Sequence, residues 1–150
     1  MKIPKNMKNK LSIIGTILLE LRGPDGKLKV RRRVRNLVVN AGRGQVIDRL
    51  QAATPAVCDY IAIGTGATAA AAGDTTLQTE VARGQGALTQ PDAFTDRSVY
   101  TFPAGTGTGN ITEAGRLNAA SAGVLMGRQV FTAVNKTASD SLQITYDFTI

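Results

Sequence analysis

The sequence predicts a mainly β protein: an antiparallel β-sandwich with one short helix and an N-terminal basic arm and hairpin. Three observations carry this. Apolar residues alternate with polar ones at period two in several short stretches, only one stretch has helical spacing, and strands and helices do not alternate as a parallel sheet requires. The expected organisation is a basic flexible arm over residues 1–10 and a single β-sandwich domain over residues 11–150. Composition agrees: 43% of the 150 residues are hydrophobic but 5% aromatic, with 20 Ala, 17 Thr and 16 Gly. Such a composition describes a soluble domain of small side chains.

The elements follow in order. Lys2, Lys5, Lys8 and Lys10 precede the apolar run Leu11–Leu19, an arrangement that imitates a secretion signal. Glu20-Leu21-Arg22-Gly23 follows, without a small-x-small cleavage site, and a run this short does not reach the ~20 residues a spanning helix needs. Ile13, Gly15, Ile17, Leu19 and Leu21 share one face of an alternating pattern, so the run reads as a strand. Gly23-Pro24-Asp25-Gly26 has turn chemistry and joins it to a second strand, Lys27–Val39, making a hairpin. Lys29, Arg31, Arg33 and Arg35 line one face of that second strand, with Leu28, Val30 and Val34 on the other. Arg32 interrupts the apolar face, the mark of a strand half covered or meeting a partner.

Asn40 is the expected N-cap of a helix running to about Ala53, with Val46, Ile47, Leu50 and Ala53 at helical spacing and Pro55 ending it. Asp59–Ile63 reads as a short buried strand and Gly64–Asp74 as a loop. Thr75–Ala82 reads as a short helix or extended edge, Arg97–Phe102 as a strand and Pro103–Gly109 as a turn-rich spacer. Val124–Val134 and Ser141–Ile150 are expected to pair as a closing hairpin across Asn135–Asp140. In the last of these, Leu142, Ile144, Tyr146, Phe148 and Ile150 alternate with Gln143, Thr145, Asp147 and Thr149.

Charge is unevenly distributed. Residues 1–35 carry eleven Lys or Arg against Glu20 and Asp25, whereas residues 36–150 carry seven against nine acids. A basic N-terminal third on a nearly neutral body suits an anionic partner. Lys2, Lys5, Lys8, Lys10, Lys29, Arg31, Arg33 and Arg35 are therefore the expected partner-binding residues. No aromatic residue interleaves the run Lys29–Arg35 and no recognition helix accompanies it, so a protein surface is the expected partner, ahead of nucleic acid.

The same composition removes whole classes of chemistry. With no histidine in the chain there is no Ser-His-Asp triad, Cys-His dyad or imidazole metal ligand. Cys58 is the single cysteine, so no internal disulfide forms; with no His or Lys beside it, it reads as a buried small hydrophobe. Gly64-Thr65-Gly66-Ala67-Thr68-Ala69 matches G-x-G-x-x-A after a strand, but Gly73-Asp74 breaks the helix that a dinucleotide site requires. Asp92 and Asp96 lie in a loop context, and Glu113 is expected to bind backbone amides or Arg116. No catalytic residue, cofactor or metal is expected.

The order of motifs resembles a known group. Asn36-Leu37-Val38-Val39-Asn40-Ala41-Gly42 and a helix are followed by Tyr60-Ile61-Ala62-Ile63-Gly64-Thr65-Gly66. Thr76-Leu77-x-x-Glu80-Val81-x-Arg83, Ile111-Thr112-Glu113-Ala114-Gly115, Gly123-Val124-Leu125-x-x-Arg128-x-Val130-Phe131 and Asp140-Ser141-Leu142 complete the series. Residues 36–148 in this order resemble small structural proteins of tailed bacteriophages, and are similar to the N-terminal attachment domain of phage tail-collar fibre proteins. Arg116 stands where that pattern has an apolar residue, and the basic hairpin lies outside it. The resemblance implies a non-enzymatic, homo-oligomeric virion protein with no membrane association. Its partners would be the major capsid protein, as a decoration (cement) protein, or tail and baseplate proteins. With all 150 residues spent on one domain and an arm, decoration is the leading expectation.

Overall fold

The computed structural model describes residues 11–51 and 56–150; the expected flexible arm, residues 1–10, and Ala53 and Pro55 lie outside the described residues. Nine strands and one helix follow in chain order: β1 Ile14–Arg22, β2 Leu28–Val38, α1 Asn40–Leu50, β3 Tyr60–Gly64, β4 Glu80–Gln85, β5 Ala87–Asp92, β6 Thr95–Phe102, β7 Gly109–Leu117, β8 Leu125–Lys136 and β9 Ser141–Thr149. The protein is mainly β, and every strand pairing is antiparallel.

The nine strands form one sheet in the order β4-β3-β7-β8-β2-β1-β9-β6-β5. Two half-sheets face each other as a sandwich requires, but they are halves of one continuous sheet that nearly closes on itself. β2 makes the first corner: residues Leu28–Asn36 pair with β1, whereas Leu37 and Val38 pair with β8. Gly86 makes the second, because β4 and β5 lie at opposite ends of the strand order yet follow one another in the chain. The Gly86 N–H donates to the Asp59 carbonyl, at 2.6 Å.

The core lies between the halves. Ile17, Leu19, Leu21, Ile144, Tyr146 and Phe148 from β1 and β9 meet Ile61, Ile63, Ile111, Met126 and Val134 from β3, β7 and β8. Alternation in β1 and β9 therefore has the expected consequence: one side of each is buried. Ile150 departs from it, 59% exposed just past the end of β9. Arg32 points to the inner side, where β2 and β8 splay apart before Leu37, and its guanidinium donates to the Thr132 carbonyl of β8. The charge that interrupts the apolar face thus spans the gap between two strands.

Several expectations need correction. β8 and β9 do not pair; β8 pairs with β7 and β2, and β9 with β1 and β6, so the 137–140 turn crosses from one half-sheet to the other. Period-two alternation shows that a strand has one buried face but carries no information about its neighbour. Of the two readings of Thr75–Ala82 the helix fails and the extended edge holds at its end, which enters the edge strand β4, with Glu80 and Ala82 paired to Gly64 and Ile63. β5 was not anticipated because all six of its residues are exposed and Pro91 lies within it. β7 was hidden by its charged and small residues, Glu113, Gly115 and Arg116.

The helix also differs. Val39, not Asn40, occupies the N-cap position, and no side chain caps the first turn. Asn40 is already helical, and its N–H is taken by the Ala72 carbonyl at 2.8 Å. The buried helical residues are Gly42 and Gln45, while Ile47 and Leu50 are 51% and 77% exposed. At Gly42 a Cβ would collide with the Met126 backbone of β8, and at Gly44 it would meet nothing within 4 Å. Two glycine substitutions in one helix should therefore have opposite signs. Gly44→Ala is expected to raise stability by about 0.5–1 kcal/mol through helix propensity. Gly42→Ala is expected to lower it by about 1–3 kcal/mol through overpacking; urea denaturation of the two variants checks both.

Candidate partner interface

The basic residues of β2 sit on the outer face of a four-strand surface. In register across β2, β1, β9 and β6, Arg33 lies beside Leu18, Thr145 and Val99, and Arg35 lies beside Thr16, Asp147 and Arg97. Arg31 lies beside Glu20, Gln143 and Thr101 in the next row. This placement follows from the hairpin register: pairing Ile17 with Val34 and Leu21 with Val30 buries the apolar side and turns the odd-numbered cations outward.

The four cations differ in what they touch. Lys29 Nζ donates to both oxygens of Asp140, at 3.0 and 3.1 Å. Arg31 approaches Glu20 at 3.6 Å, an exposed contact of little energetic weight. Arg33 and Arg35 are exposed and form no ion pair among the described residues. Lys2, Lys5, Lys8 and Lys10 lie outside the described residues. The structure thus brings Lys29, Arg31, Arg33 and Arg35 onto one edge of one surface, with Arg33 and Arg35 free to meet an anionic partner.

Asp59, Glu113, Asp140 and Asp147 are the buried acids among the described residues. Glu113 on β7 is fully buried: Oε1 accepts from the Thr79 N–H at 2.7 Å and the Gly66 N–H at 3.1 Å, and Oε2 from the Gln78 N–H at 3.0 Å. Arg128 on β8 donates from Nε to Glu113 Oε2 and from Nη1 to Asp74, both at 2.8 Å, and from Nη2 to the Thr68 carbonyl at 2.9 Å. Burial by itself would raise the Glu113 pKa. The amide donors and Arg128 outweigh it and hold the carboxyl below its ordinary value. The expected binding of backbone amides by Glu113 is present, but its cation is Arg128 and not Arg116, because β7 alternation sends the side chains of 113 and 116 to opposite faces.

This network also decides the glycine loop. The Gly66 N–H, which would face a phosphate in a dinucleotide site, is occupied by the protein's own carboxylate. Arg116, 1% exposed, turns to the other side, where its Nε donates to the Cys58 carbonyl at 2.5 Å and its Nη2 pairs with Asp96 at 2.8 Å. Its guanidinium lies 5.3 Å from the centre of the Phe148 ring. Asp96 is therefore a partner of Arg116 and not of Asp92, whose Oδ1 accepts from the Phe94 N–H. Cys58 is half-buried and not fully buried as expected, with Sγ 3.2 Å from Gln45 Oε1, and burial raises its thiol pKa.

Lys136 and Asp140 form a third buried cluster that sequence reading missed. Lys136 Nζ donates to the Pro103 and Asp140 carbonyls at 3.0 and 2.8 Å, tying the turn before β7 to the crossing between β8 and β9. A lysine among polar turn residues carries no sequence signal of burial. No group of three or more potential metal ligands occurs among the described residues, and no described helix is long and apolar enough to cross a membrane.

Two outcomes test these clusters. Glu113→Ala leaves Arg128 buried beside a vacated site and should cost roughly 3–5 kcal/mol, whereas Glu80→Ala, on the more exposed Arg83 pair, should cost about 1 kcal/mol or less. Asp140 is held at about 2 against an ordinary 3.8 by the Thr137 N–H, then by Lys29 and the Thr137 hydroxyl. Its folded pKa is depressed, so its contribution is complete above pH 3.8 and is lost as pH falls toward 2. Asp140→Asn should therefore flatten the acid limb of a stability-versus-pH curve over that window. No known protein family, curated protein or solved structure matches the chain.

Proposed function

We propose that this chain is a non-enzymatic structural protein of a tailed-phage virion, acting as a capsid decoration protein that binds the particle through protein contacts. The observation that carries the reading is the outward basic row on β2, which the internal ion pairs leave partly unneutralised. Asp147, the acid in register beside Arg35, is committed to Arg97, so the rows of Arg33 and Arg35 offer them no unpaired acid. An acidic neighbour, such as the surface of a capsid lattice, supplies what the row lacks. The ordered series of motifs over residues 36–148 supports the phage setting. The nearly closed sheet supports a static role, since closure leaves few strand edges exposed to unplanned pairing.

Replacing Arg31, Arg33 and Arg35 together by Ser should leave the melting temperature nearly unchanged, because the three side chains are exposed. Particle occupancy should fall, and the remaining binding should become less sensitive to salt. Copy number by mass spectrometry of purified particles decides the location. A number comparable with that of the major capsid protein supports decoration, and one far below it transfers the protein to the tail. Salt-resistant binding of duplex DNA by the unmodified chain would overturn the reading in favour of a nucleic-acid partner.

A further inference from the structure

β2 has two edges, and only one of them is used along its length. On the β1 side, pairing runs from Leu28 to Asn36; on the β8 side, it is confined to Leu37 and Val38. From Arg35 back to Arg31 that second edge meets no strand among the described residues, although β2 and β8 are neighbours in the sheet order. The facing edge of β8 is in the same position, since its pairing with β7 continues to Lys136 after β2 has left it. The sheet therefore has a gap here. Arg32 crosses it on the inner side to reach the Thr132 carbonyl, one side chain where a ladder of backbone bonds would otherwise run.

The register fixes which backbone groups face the gap. The Val39 N–H donates to the Met126 carbonyl, so odd-numbered residues at this end of β2 turn their N–H and C=O toward β8. Carried back along the strand at period two, Arg31, Arg33 and Arg35 turn theirs into the gap. None of these groups has a protein partner among the described residues. The same three residues carry the outward cations, about 6.8 Å apart along the strand. An unused backbone row thus lies directly beside a positive row.

Unpaired groups on a sheet edge are a template for another strand, and the charge selects which strand. Arg33 and Arg35 form no ion pair among the described residues, and Arg31 has only the exposed contact with Glu20 at 3.6 Å. Across the gap, β8 has no acid between Gln129 and Lys136. A strand laid on this edge sets every second side chain beside a cation of β2, so carboxylates at alternate positions are complementary. The segment 1–10, with four lysines and no acid, is repelled. Pairing with β2 of a second copy sets arginines against arginines. A nucleic acid meets the cations but leaves the backbone row unused.

We propose that the β2 edge from Arg31 to Arg35 is a strand-addition site for an extended acidic segment of a partner protein, with Asp or Glu at alternate positions. This deepens the proposed function and rests on it for the setting, while stating how the basic row is engaged: by a backbone ladder with carboxylates along one side of it. The Glu or Asp residues lie opposite the arginines, so it is their amides that bond to β2.

The test uses the full isolated chain and a short synthetic peptide alternating Glu and Thr, followed by NMR amide hydrogen exchange. Binding should slow exchange at Arg31, Arg33 and Arg35 and leave Val30 and Val34, already paired with β1, unchanged. N-methylation of the peptide's Glu amides keeps its charge but removes the ladder; it should abolish that protection and weaken binding by about tenfold or more. Equal binding of the N-methylated peptide overturns strand addition, as does binding without protection at the three arginines or no binding at millimolar peptide. Tighter binding of a single-stranded oligonucleotide of matched charge overturns it in favour of nucleic acid. Protection already present in the unliganded chain and lost on deletion of residues 2–10 overturns it in favour of the chain's own N-terminal segment. Particle occupancy without peptide protection sinks this site and spares the capsid reading; peptide protection in a chain that never coats particles does the reverse.

Discussion

Everything in this fold hangs on β2 belonging to both halves of the sheet. Its first nine residues pair with β1 and its last two with β8, so the strand must leave one neighbour and join another within a single step. Asn36 stands at that step. Its Oδ1 accepts from the Tyr146 hydroxyl, and its side chain occupies space that a Cβ at Gly15 or at Gly127 would fill. Its Nδ2 finds no partner among the described residues, a cost that the surrounding packing has to offset. Two strands that approach the amide without side chains, and one tyrosine that meets it, set where the sheet folds over. The core then forms between faces whose separation this corner defines.

Bracing of the long connections is the second constraint. The core is built mostly from Ile, Leu and Val of the strands, and the chain does not hold its long connections by apolar burial alone. It uses buried charges: Glu113 with Arg128 for the 64–79 loop, Arg116 for the segment before β3, and Lys136 for the crossing between β8 and β9. Each satisfies several backbone groups at once, which lets an ion bear its desolvation cost. Those braces pair cations with acids in equal number, so the excess of positive charge stays where the sequence puts it, on the outer row of β2.

Two surfaces result, with different chemistry. The β2 row is of one sign, exposed and flat, and suits a partner unlike the chain itself. A groove beside α1 is lined by the apolar side chains of Val46, Met126 and Phe148. Their separation on the molecule allows each to be altered without the other.

By itself the sequence determined the mainly β class, the β1–β2 hairpin, the buried faces of β1 and β9, and the basic row. These depend on period-two alternation and on turn residues at short range, which act before any distant contact forms. It also left Glu113 with two uses, backbone amides or Arg116, of which the amides are the one present. What it did not determine was partnership. Tertiary structure alone decided that β8 and β9 separate to opposite half-sheets, that Glu113 meets Arg128 while Arg116 turns to Asp96, and that Lys136 is buried. It also decided that α1 spends Gly42 and Gln45 on the core and leaves Ile47 and Leu50 outside. Alternation records which face of an element is covered, but which element covers it is settled only when residues far apart in the chain compete for the same space and the same buried charges.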